Sequence, residues 1–255
     1  MTILGLLLSV AAAHASDWWR GPLMELDTAL VSRVDCSLTG WGEVVEAWGR
    51  ASVFTLGPLE ARGGQLPYML WPDPKGFTPR VIKRVAAQVG PLESLAGQSV
   101  AARNLTALEH WIEVGDCPRQ RQVVAALRQQ IAAHLGADLS LSEEARTRAR
   151  LRAVSAALEV ARVQARVQPR SPFEHSAPGR FNHGVLAGIE RLLARVEVEY
   201  PAPGVASARA HIQRARQSAD AFGVEAGVAT AHDQWHDLAL AHYGLFLGFS
   251  ANDGD

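Results

Sequence analysis

Cysteine is nearly absent: Cys36 and Cys117 are the only two in 255 residues, too few for a disulfide-dense scaffold or a four-thiolate zinc site. An excess of one charge is missing too. Lys and Arg number 25 against 26 Asp and Glu, a net charge of −1, which removes the basic field that a nucleic-acid binder carries. Alternating apolar and polar residues, the mark of a half-buried strand, hardly occur. The chain has no phosphate loop, no Gly-x-Gly-x-x-Gly after a strand, no Gly-x-Ser-x-Gly elbow and no Cys-x-x-Cys-His. Nucleotide, serine-hydrolase and covalent-haem chemistry therefore lack their local frames. No apolar run approaches the length of about 20 residues that a membrane-crossing helix needs.

What remains is 48% hydrophobic and 20% charged, enough apolar surface for a substantial core. The longest apolar run, 3–13, is followed by Ala13-His14-Ala15 and then Ser16-Asp17. It is too short to span a bilayer, and it fits the apolar part of a secretory signal ending in an Ala-x-Ala cleavage site. No Lys or Arg precedes it, and a buried first helix is the alternative. Export predicts a signal peptide over 1–15, a periplasmic mature chain and an oxidising compartment. There Cys36 and Cys117 have the opportunity to pair across distant segments; two buried free thiols are the other possibility.

Most of the chain reads as helix. The stretch 141–168 has no Gly or Pro, and Leu151, Val154, Leu158 and Ala161 recur at steps of three and four, one buried stripe. Ser140 or Ser142 is placed to cap it, with Glu143 and Glu144 in the first turn. Arg146, Arg148, Arg150 and Arg152 read as its solvated face rather than a nucleic-acid patch. Helices are also expected over 23–34, 41–51, 79–89, 99–112, 119–135, 180–198, 206–222 and 227–248. Glycines and prolines break the pattern over 57–79, 169–179 and 201–204. The expectation is an all-α protein of two up-and-down helical bundles packed into one unit. The first spans 16–168, including the long helix, and the second 169–255. The 57–79 loop is long for a helical protein. It carries Trp71-Pro72-Asp73, either a plug at the bundle end or a carboxylate held rigid between prolines.

The order of motifs resembles the imelysin-like family. Arg50 with Gly57-Pro58, then Leu70-Trp71-Pro72-Asp73, Ser99-Val100-Ala101, Leu105-Thr106-Ala107-Leu108-Glu109, Pro172-Phe173-Glu174 with Arg180, and the closing Leu247-Gly248-Phe249-Ser250-Ala251-Asn252-Asp253-Gly254-Asp255 carry the likeness. The resemblance implies paired helical bundles, a periplasmic location and a link to iron uptake. Founding members of the family were described as metallopeptidases with a Gly-x-His-x-x-Glu motif. Here the matching positions read Asn104-Leu105-Thr106-Ala107-Leu108-Glu109, so only the glutamate remains and the imidazole is replaced by Thr106. His110 and Glu113 repeat a His-x-x-Glu spacing about one turn later, without the third ligand that zinc hydrolysis commonly uses.

On the last helix, His232 and His236 stand four apart and face one way, with Asp233 and Asp237 beside them. They make either a borderline-metal pair or an ordinary histidine-rich surface. The leading expectation is an exported binding protein in iron or other metal acquisition. Its ligand, with an iron or zinc ion as the candidate cofactor, is captured at the junction of the bundles. Glu109, Trp71, Asp73 and Asp253 are the candidate contacts, with Arg180 orienting carboxylates or holding an anion; Arg50 and Arg103 are further counter-charges. Other periplasmic iron-uptake components are the implied partners. A metallopeptidase-related protein with residual or no activity, or a non-catalytic interaction protein, are the rivals.

Overall fold

The computed structural model describes residues 18–60, 64–70, 73, 75–87, 95–137, 141–166, 173, 179–218 and 221–245. Among them are nine α-helices, three short 3-10 turns and no strand. The helices are α1 (Arg20–Arg33), α2 (Trp41–Ser52), α3 (Phe77–Ala86), α4 (Leu105–Glu113), α5 (Cys117–Leu135), α6 (Glu143–Arg166), α7 (Arg180–Glu199), α8 (Val205–Gln217) and α9 (Ala221–Tyr243). No helix among the described residues is long and apolar enough to cross a membrane. The chain is all-α, as the helical periodicity predicts.

Local chemistry accounts for where the helices begin. Ser142 accepts the Ala145 N–H ahead of α6, and Glu143 and Glu144 sit in its first turn with Arg146 and Arg148 as their ion-pair partners. Asp116 accepts the Arg119 N–H and Pro118 occupies the first turn of α5, where its missing donor costs nothing. The single helix expected over 99–112 is instead a 3-10 turn, Val100–Ala102, followed by α4. Asn104 makes the break: its backbone is extended and its side chain accepts the Ala107 N–H at 2.9 Å. A good N-cap competes with helix continuation, which a periodicity argument does not weigh.

Packing joins both halves of the chain. Helices α6, α7, α8 and α9 close a ring of contacts, α6 touching α7 and α9, and α8 lying between α7 and α9. The long helix thus packs with the carboxy-terminal helices. Among the earlier elements α1 packs on α2 and α5, α4 on α5, and α3 on α4. The α2–α7 contact unites the two groups, and one apolar cluster runs through both. Six tryptophans, Trp18, Trp19, Trp41, Trp48, Trp111 and Trp235, are buried in it.

Two further features tie distant segments. Cys36 and Cys117 form a disulfide, their Cα atoms 5.3 Å apart, linking the turn after α1 to the start of α5. Trp18 donates its indole N–H to Glu199 at 2.8 Å, and Arg150 donates to Glu199 at 2.9 Å and to the Tyr200 hydroxyl at 2.8 Å. Arg150 is therefore buried, with its guanidinium over the Trp18 ring. This corrects its assignment to a solvated arginine face. A carboxylate, a phenol and an aromatic surface together compensate the lost hydration of the guanidinium.

Candidate functional site

Helix α2 begins at Gly40, whose φ of 81° is a left-handed conformation that glycine adopts without strain. That turn sets Trp41 inward, 1% exposed. Its indole N–H donates to Glu109 at 2.7 Å. Glu109 is 4% exposed, on the buried face of α4. The glutamate left from the family-like motif is thus a buried carboxylate bonded to an indole. Asn104, at the position of the motif glycine, is the α4 N-cap, and Thr106 is half-buried in the first turn. His110 lies 3.9 Å from the Glu113 carboxylate, both partly exposed.

Phe173 extends the aromatic layer over Trp41. Its ring centroid is 5.7 Å from that of Trp41 and 6.0 Å from that of Phe181 on α7. Arg180 crosses the other side of the helix start: its Cγ and Nε lie 3.6 Å from where a Cβ on Gly42 would stand. Glu109 and Arg180, both nominated from sequence, therefore flank the amino end of α2, one beneath it and one at the surface.

The close approach of α2 and α7 depends on glycine. A Cβ on Gly49 would overlap the Phe181 carbonyl, and one on Gly184 would overlap the Glu46 carbonyl. One on Gly188 would lie 2.7 Å from the Arg50 carbonyl. Backbone thus meets backbone along the crossing, as small residues allow. Along its rim the charged side chains of both helices interlock. Glu46 accepts from Arg180 at 2.9 Å, from Arg50 at 3.0 Å and faces His183 at 3.1 Å. Glu25 on α1 accepts from Arg50 at 3.3 Å and from Arg191 at 2.6 Å. Burial alone pushes the Glu46 carboxyl up; the Arg180 hydrogen bond, His183 and Arg50 outweigh it and hold its pKa below the usual carboxylate value. Beside this lattice is an open groove of about 490 Å³, lined by Glu25, Glu46, Arg50, His183, Arg191 and Arg216, among others.

The remaining nominated residues are elsewhere or not described. Asp73 accepts the N–H groups of Phe77 at 2.9 Å and Thr78 at 2.7 Å, capping α3. Slight burial opposes its charge, the two backbone donors and nearby Arg80 favour it, and its pKa lies below the ordinary value. Trp71 and Asp253 lie outside the described residues, as do the segment 1–17 and the closing motif 247–255. His232 and His236 stack on α9 with centroids 6.5 Å apart. His232 is turned to Glu159 on α6 and to Asp233, each at 3.1 Å. Among the described residues no group of three or more His, Cys, Asp or Glu side chains is arranged to hold a metal ion.

Sequence reasoning passed over Glu25, Glu46, His183 and Arg191. Two signals for them were present: the Glu46–Arg50 pair at a spacing of four, and the Gly184–Gly188 spacing of four that lets another helix approach. No protein-family model matches the chain, and no curated protein or solved structure does so either.

Proposed function

We propose that this chain is an exported, imelysin-like binding protein in iron or other metal acquisition, taking its ligand at the α2–α7 seam. The observation that carries the reading is the groove beside Glu46, Arg50 and His183, where helices from both halves of the chain present charge to one opening. The few converging polar groups that fix a ligand's orientation in a small-ligand site are present here as charged side chains. Export is supported by the signal-like segment 1–15 and by the Cys36–Cys117 bridge, a bond favoured in oxidising compartments.

Binding is favoured over peptide hydrolysis by the state of the motif. Thr106 stands where the family's histidine would be, and Glu109 is sealed against Trp41. In this reading Glu109 is a positioning residue: it fixes Trp41, which fixes the start of α2 and so the rim carrying Glu46 and Arg50. Asp73 acts as a helix cap, and other exported iron-uptake components are the expected partners.

The test is expression with the native amino terminus, followed by mass spectrometry and metal analysis of the periplasmic fraction. Processing after Ala15 with about one iron or zinc per chain, or its uptake on titration, supports the proposal. A chain kept in the cytoplasm with its amino terminus intact, or one that takes up no metal in any form, overturns it. Chelator-sensitive cleavage of unfolded substrates, lost in His110→Ala, would replace it with a peptidase.

A further inference from the structure

We propose that the α2–α7 groove is a binding site for a small polyanion, of the class shared by di- and tricarboxylates and inorganic phosphate. We further propose that metal reaches the protein there as an anionic carboxylate chelate. The second statement rests on the function proposed above; the first stands on the groove alone.

The argument is one of donors and acceptors. Each carboxylate at the groove is already paired with a guanidinium group. Glu25 accepts from Arg191 and Arg50 on its two oxygens. Glu46 offers one to Arg50 and His183 and the other to Arg180. Glu190 faces Gln213 with one and Arg216 with the other, at 2.7 and 2.9 Å. A bare cation would meet carboxylates whose charge is already offset by neighbouring guanidinium groups.

The guanidinium groups are in the opposite state. Arg180, Arg191 and Arg216 each use a single terminal nitrogen on a carboxylate, and Arg50 uses two of its three nitrogens. Among the described residues the second terminal nitrogen of all four has no protein partner. Arginine carries five N–H donors in a planar fork that matches carboxylate and phosphate oxygens. The groove's own lining is balanced, Arg50, Arg191 and Arg216 against Glu25, Glu46 and Glu190, and Arg180, bound to Glu46 beside the groove, brings the extra positive charge. The carboxylates hold the arginines in place, and the spare N–H groups turn to whatever enters. A groove of about 490 Å³ suits a small ligand.

The experiment is a calorimetric titration of the full mature chain with citrate, with inorganic phosphate and with zinc chloride, at low and high salt. The proposal expects one-to-one citrate binding that weakens as salt rises. The Arg180→Gln/Arg191→Gln double variant should bind at least about tenfold more weakly, as expected for two charge-assisted contacts. Should that variant fold poorly, Glu190→Gln provides the opposite test: it removes a competing carboxylate and should bind citrate about two- to threefold more tightly, by the Coulomb gain near a surface. Phosphate binding tighter than citrate keeps the anion site and overturns the chelate. Citrate heats equal to dilution up to about 5 mM, the weak end of useful affinity, or a folded double variant that binds undiminished, would overturn the anion site. Zinc uptake by a chain indifferent to citrate would sink this inference and leave metal binding standing, whereas citrate uptake that no metal accompanies would do the reverse.

Discussion

The indole N–H of Trp41 donates to the carboxylate of Glu109 at 2.7 Å, deep in the core between the start of α2 and the buried face of α4. A hydrogen bond contributes about 0.5–1.5 kcal/mol net, and a buried polar atom stripped of its partner loses about 1–3 kcal/mol. Glu109→Gln keeps an acceptor oxygen for the indole and should cost about 1 kcal/mol. Glu109→Ala removes the acceptor and opens a cavity, costing about 3 kcal/mol. Urea denaturation of the two variants measures the difference. Equal stability would mean that the bond contributes nothing.

Glycine at the α2–α7 crossing gives a second prediction. Gly184→Ala would drive a methyl group into the Glu46 carbonyl, and backbone cannot yield as a flexible side chain can. The loss should reach about 3 kcal/mol or more, with weakened ligand binding at the groove. Gly21 on α1 has nothing within 4 Å of an added Cβ, and Gly21→Ala should be neutral or stabilising by up to about 1 kcal/mol. Melting curves of the pair separate a packing requirement from general glycine effects.

How much of this was legible in the sequence depends on the kind of signal. The stripe Leu151, Val154, Leu158 and Ala161 is a local pattern and is buried as expected. Asn104 was visible, but its role as a cap that splits 99–112 depends on a side chain winning against helix continuation. Arg150 reads as one of four surface arginines, and only the approach of Glu199 and Tyr200 from the end of α7 and of Trp18 from before α1 buries it. Glu109 and Arg180 were singled out, yet Glu46 and His183, which complete the rim, were not. Their meeting depends on a helix crossing that three glycines permit, and no local spacing encodes a crossing.

The disulfide joins residues 81 apart in sequence. Closing so long a loop in the unfolded chain is worth about 4 kcal/mol in the chain-entropy account. Cys36→Ser/Cys117→Ser, or reduction of the wild-type chain, should lower stability by about 2–4 kcal/mol. Thiol titration under denaturing, non-reducing conditions should find no free thiol. Full labelling of both cysteines, or unchanged melting on reduction, would count against the bridge.

Acid should destabilise the fold in two stages. Burial holds the His134 imidazole below its ordinary value, and burial together with Arg214 does so for His211. A depressed pKa means that the unfolded chain takes up the proton first, so this stability is complete above the unfolded value of about 6.5 and is lost as pH falls below it. Glu46 and Asp73, also depressed, keep their contribution above the ordinary carboxylate range and lose it as pH falls through their lower folded values. Melting temperatures between pH 8 and pH 3 should decline in both windows. Glu46→Gln should flatten the lower one, and a variant retaining its full acid slope would exclude Glu46 from it.

The most direct test of ligand capture at the α2–α7 seam is hydrogen exchange with mass spectrometry, on the chain with and without ferric citrate. The account predicts slower exchange in peptides covering 42–50 and 180–191, with the α9 segment around 232–236 unchanged. Protection confined to 232–236, or none anywhere at saturating ligand, would contradict it.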